Sequence, residues 1–74
     1  MVIRRLYELR EDNDLKQRDV AAYLNVAQRT YSGYETGNRD IPLFLLIKLA
    51  MFYNTSVDYM LDLTDEIKPY PRKI

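Results

Sequence analysis

Apolar residues recur at helical spacing along most of the chain, and short polar or turn-forming stretches interrupt them. Ile3, Leu6, Tyr7 and Arg10 fall at i, i+3, i+4 and i+7, which predicts a first helix over residues 2–11. Arg10 then sits at the end of an apolar stripe, and Glu11-Asp12-Asn13-Asp14 breaks the helix. A second helix is expected over residues 16–24, with Val20, Ala21 and Leu24 inward and either Asp14 or Lys16 as its cap. Asn25 ends it, because asparagine tolerates the left-handed conformation of a tight turn. A third helix is expected over residues 28–36, with Tyr31 and Tyr34 inward and Gly37 closing it. Pro42 suits the first position of a fourth helix over residues 42–53, whose core side is read as Leu43, Leu46, Ile47 and Ala50. A short fifth helix over residues 56–61 is capped by Ser56 and turns Val57, Met60 and Leu61 inward. Pro69-Tyr70-Pro71 cannot continue a helix. Residues 64–74 are therefore expected as an extended tail behind one all-α domain, residues 1–63, packed back in part through Ile67 and Tyr70. No strand alternation competes with this reading.

Composition narrows the chemistry. The 74 residues suffice for one domain with a thin core. There is no cysteine and no histidine, so disulfides, thiolate metal sites and the commonest general base are excluded. No acidic loop has calcium-type spacing. Neither an enzyme, a metal nor a cofactor is expected. The chain reaches charge at Arg4-Arg5, too early for a signal-peptide core. Its longest apolar run, residues 41–47, falls far short of the roughly 20 residues that span a bilayer. A cytoplasmic location away from membranes is the simplest expectation.

The formal net charge is zero, but the charges are not evenly spread. Between Leu15 and Arg39 stand Lys16, Arg18, Arg29 and Arg39 against Asp19 and Glu35, while most acids lie toward the ends. A neutral chain with this pattern can still present one basic face.

The second and third helices, joined by the short turn Asn25-Val26-Ala27, have the geometry that braces one helix on a DNA backbone and lays the next in the major groove. Its packing needs are met by small Ala21, turn-forming Asn25 and the inward pair Tyr31 and Tyr34. The opposite face of the third helix then carries Gln28, Arg29, Ser32, Gly33 and Thr36. None is acidic, as nearness to phosphate requires. Glutamine pairs with adenine and arginine with guanine in the major groove, and Ser32 and Thr36 can bond bases or phosphates. Gly33 either lets the helix lie close to the groove or leaves that position unread.

The run Leu15-Lys16-Gln17-Arg18-Asp19-Val20-Ala21-Ala22-Tyr23-Leu24-Asn25-Val26 resembles the "LTQxELAxxLGV" of the phage-repressor-like helix-turn-helix regulators, the Cro/cI type or XRE family. Tyr34-Glu35-Thr36-Gly37-Asn38-Arg39 is similar to that family's "YExGxR", and Ser56-Val57-Asp58-Tyr59-Met60-Leu61 to its "SxDyLL". The resemblance covers residues 2–64 and implies a five-helix bundle of the lambda-repressor-like type. It implies a transcriptional regulator, a repressor by preference, that binds a double-stranded DNA operator as a homodimer. An antitoxin or protein-interaction module on the same fold is the alternative.

The resemblance also assigns roles. Gln28 and Arg29 would read bases. Gln17 would bond a phosphate and brace the outer residues of the third helix. The amides around Gly37 and Asn38, with Arg39, would hold a phosphate. Arg10 and Glu35 would form a buried ion pair, a need that their places on apolar stripes also suggest. The chain departs from the family pattern at Lys16, which replaces a capping hydroxyl and is free to touch phosphate instead, and at Ala27, a weak cap for the third helix. Phe44 and Met51, seven apart on the outer side of the fourth helix, form an apolar patch and a candidate surface for a small partner protein.

Overall fold

In the computed structural model, which describes residues 2–71, five helices follow one another: α1 Arg4–Asp12, α2 Gln17–Leu24, α3 Gln28–Thr36, α4 Leu43–Phe52 and α5 Val57–Met60. The described residues contain no strand. Residues 1 and 72–74, parts of the expected domain and tail, lie outside the described ones. One core gathers Leu6 and Leu9 of α1, Val20, Ala21 and Leu24 of α2, Tyr31 and Tyr34 of α3, Leu45, Leu46, Leu49 and Ala50 of α4, and Met60 of α5.

The helix ends share one device. Asp14, Asn25, Asn54 and Asp62 all adopt positive φ, between 55° and 67°. After each of α1, α2, α4 and α5 the same pair of bonds forms. The left-handed residue's amide reaches back three residues, and the next amide reaches back five: Leu15 to Arg10, Val26 to Ala21, Thr55 to Ala50 and Leu63 to Asp58. This is the Schellman closure, built here on Asp and Asn rather than Gly. α3 ends at Gly37, φ 86°, whose amide bonds the Gly33 carbonyl. Helix starts are weaker. Only Ser56 caps through its side chain, accepting from the Tyr59 amide at 3.0 Å.

Several expectations are corrected. The cap of α2 is Lys16, while Asp14 closes α1. Lysine has no acceptor oxygen, so the contact runs one way, from the Lys16 amide to the Asp19 carboxylate at 2.9 Å. On α1, Tyr7 is exposed and Arg5 takes the buried place. On α4, Leu43 and Ile47 are exposed and the core face is Leu45, Leu46, Leu49 and Ala50. All of α4 except Lys48 is apolar, so its pattern carries no polar stripe to orient it. The tail is held by polar bonds. The Thr55 hydroxyl donates to the Ile67 carbonyl and the Tyr70 hydroxyl to Asp58, while the Ile67 and Tyr70 side chains stay exposed.

Candidate nucleic-acid interface

α2 and α3 meet across the turn closed by Asn25, φ 59° and ψ 43°. Ala21, almost wholly buried, admits the close crossing, and Val26 packs on the core. Tyr31 and Tyr34 anchor α3 and meet edge to face at 6.3 Å between ring centroids. Gln28 and Arg29 are exposed at its start, Ser32 is half-buried and Thr36 is exposed. The described tail residues leave this face open.

A charged network sets the depth of α3. Arg10 Nε donates to Glu35 Oε2 at 2.7 Å and Nη2 to Oε1 at 3.2 Å, with only 9% and 6% of the two side chains exposed. Arg10 Nη1 donates to the Leu15 carbonyl at 2.9 Å and to Glu11. One guanidinium therefore joins α1, the loop before α2, and α3. Burial alone would raise the Glu35 carboxyl. The bonds from Arg10 and Gln17 outweigh burial and hold it below the ordinary glutamate range. Burial and the nearby carboxylate push the Tyr31 phenol far above its ordinary range. Its hydroxyl reaches no partner within hydrogen-bond geometry among the described residues, and neither does that of Tyr53, which burial pushes up to about 12.

Gln17 donates through Nε2 to Glu35 Oε1 at 3.1 Å. It braces α3 from beneath, at the ion pair, and not through the outer residues expected from the sequence. The turn after α3 is engaged with itself. The amides of Gly37 and Arg39 both bond the Gly33 carbonyl, and the Asn38 amide reaches the Thr36 hydroxyl at 3.5 Å, the longest of the three. Thr36 in turn donates to the Gly33 carbonyl at 3.3 Å. Gly33 lies on the outer side of α3 as expected but is buried, because the side chain of Arg39 covers it. Gly33 thus offers no open surface to a base, and Arg39 takes its place.

Lys16, Arg18, Arg29 and Arg39 are exposed and form no ion pair among the described residues. Phe44 and Met51 stand out on α4, 70% and 45% exposed, and Leu43 and Ile47, at 64% and 44%, extend their stripe.

The sequence reading passed over Arg5. This buried side chain donates to the carbonyls of Tyr59 and Thr64 at 2.8 and 2.7 Å, pairs with Asp62 and Asp65, and stacks 3.9 Å from the Tyr59 ring centre. A signal existed in the acids Asp58, Asp62, Asp65 and Glu66, since residues 58–66 hold no base to pair with them.

Residues 6–60 match the family model described as helix-turn-helix. Among curated proteins the chain is similar to the helix-turn-helix transcriptional regulator YobD of Bacillus subtilis, 39% identical over 93% of this chain and 62% of that protein. It is also similar to the regulator ImmR of B. subtilis, 38% identical over 78% of this chain and 46% of that protein. The cryptic phage CTXphi transcriptional repressor RstR of Vibrio cholerae is 36% identical over 72% of this chain and 48% of its own length. The chain thus spans about half to two thirds of these relatives. No solved structure matches it.

Proposed function

Because the chain belongs to the helix-turn-helix family, we propose that it is a sequence-specific DNA-binding transcriptional regulator, acting as a repressor with α3 in the major groove of its operator. One observation carries this reading: α3 is pinned by Tyr31 and Tyr34 while its opposite side stays open and free of carboxylates. Gln28 and Arg29 are the base readers, with Ser32 beside them. Lys16, Thr36, Asn38 and Arg39 approach phosphates around the groove. Gln17 serves by steadying α3 through Glu35, and Gly37 by turning the chain toward Asn38 and Arg39. The name of the relative RstR supports the repressor role. Repression follows when a bound operator excludes polymerase, and such a protein works in the cytoplasm.

A single α3 reads only a few base pairs, so a second copy of this chain is the expected partner on a two-fold site. The exposed α4 stripe of Leu43, Phe44, Ile47 and Met51 suits that copy. An isologous interface pairs one patch with itself, which an apolar stripe allows, and a chain of zero net charge does not repel its copy.

Selection of the purified chain against random duplexes tests the reading. Enrichment of a palindrome with half-sites about one helical turn apart is expected. Enrichment of no sequence overturns it. Sedimentation of a Phe44→Glu variant checks the partner: loss of a dimer supports the second copy, and capture of a small protein in its place supports an antitoxin-like module.

A further inference from the structure

Gly33 sits mid-helix, where neither a turn nor a positive φ calls for glycine and where glycine costs about 1 kcal/mol relative to alanine. The space its side chain would fill is already taken. A Cβ built there would stand 3.1 Å from both Cγ and Cδ of Arg39, tighter than ordinary contact, and 3.4 Å from its Cβ. Arg39 arrives by chain reversal. Gly37 turns left-handed, the Arg39 amide bonds the Gly33 carbonyl at 3.1 Å, and the aliphatic stem lies across the outer side of α3. Gly33 is four residues after Arg29 and three before Thr36, so the stem crosses the face that carries both. The guanidinium beyond that stem has no hydrogen bond or ion pair among the described residues, although Arg4, Arg5 and Arg10 all have several.

We propose that Gly33 is a socket that positions Arg39, so that Arg39 acts as a grafted side chain of α3 and delivers its guanidinium to the phosphodiester backbone of duplex DNA beside Arg29. This rests on the reading of α3 as the groove helix. A packed stem with an unpaired head keeps the planar donor fork near its working position before DNA arrives, which lowers the ordering cost of the contact. An added methyl at position 33 makes the stem give by a few tenths of an ångström and disturbs the placement of the head.

A double-mutant cycle on the selected duplex tests this, with Gly33→Ala, Arg39→Ala and the double variant compared by fluorescence anisotropy at fixed salt. Arg39→Ala is expected to weaken binding roughly tenfold and to reduce the salt slope by about one. Gly33→Ala should weaken it several-fold when Arg39 is present and not at all beside Arg39→Ala. Arg39→Lys should restore only part, since its ammonium lacks the fork. Thermal melts keep folding out of the comparison, as alanine raises helix propensity at position 33. Effects that simply multiply, or an Arg39→Ala variant that binds as tightly as the parent, overturn the proposal. The packing has its own test without DNA: nuclear Overhauser contacts between the Arg39 Cδ and Gly33 Cα protons are expected in the free chain, and their absence overturns the socket. Contacts present in a chain that binds no duplex would instead sink the groove reading.

Discussion

The arginines of α1 and the cations of the α2–α3 half are used in opposite ways. Arg4, Arg5 and Arg10 are all paired with carboxylates: Arg4 with Glu8 and Asp62, Arg5 with Asp62 and Asp65, Arg10 with Glu35 and Glu11. Lys16, Arg18, Arg29 and Arg39 have no such partner among the described residues. Both groups enter the sum alike, which is why a formal charge of zero says little about what a duplex would meet. One group spends its charge on holding helices together, and the other keeps its charge available.

The largest effect should fall on the buried pair. Arg10→Ala strands Glu35 and is expected to cost about 3–5 kcal/mol in urea unfolding, a large part of what a domain this size has. A double change of Arg10→Met and Glu35→Leu should recover most of that loss. The same pair sets an acid limit. The folded Glu35 carboxyl lies below its ordinary value of 4.5, so its contribution is complete above that pH and is lost as pH falls through the folded pKa. Melting followed from pH 6 downward should show the decline, and a Glu35→Gln variant should show a shallower one.

Smaller changes divide the two halves by binding. Gln28→Ala and Arg29→Ala should each cost about 1–3 kcal/mol of operator affinity with little change in melting, and relax sequence preference at one position. A uniform loss over all sequences would make them backbone contacts. Asn25→Ala should cost about 1 kcal/mol of stability, because alanine resists the left-handed turn, while Asn25→Gly should be nearly neutral. At the small end, Arg4→Ala removes only exposed pairs and should leave both the melting midpoint and the salt slope of binding unchanged. A changed slope would mean that α1 also touches DNA.

Much of the fold was legible because short helices with punctuated ends announce themselves. Asn25 and Gly37 marked two ends directly, and Tyr31 with Tyr34 oriented α3 because every other residue there is polar or glycine. α4 defeated the same method. With Lys48 as its one polar residue, its periodicity offers nearly equal faces, and only packing into the shared core beside α5 chooses between them. The contacts of Arg5 and the packing of Arg39 on Gly33 were hard to read for another reason. Each acts on residues brought close by the fold, Arg5 across more than fifty positions and Arg39 by a reversal that covers Gly33. The exposed row Gln28, Arg29 and Thr36 needed only the helical period, whereas the engagement of Gln17 with Glu35 needed the crossing of two helices.

The left-handed closures have a kinetic consequence. Because each helix reverses on the spot, the connectors between successive helices are only three to six residues long. Most partners therefore lie near one another along the chain, and little loop entropy stands in the way of their meeting. Small helical topologies of this kind reach the native state within microseconds to milliseconds. A molecule jolted open by heat would close again long before a replacement could be synthesised.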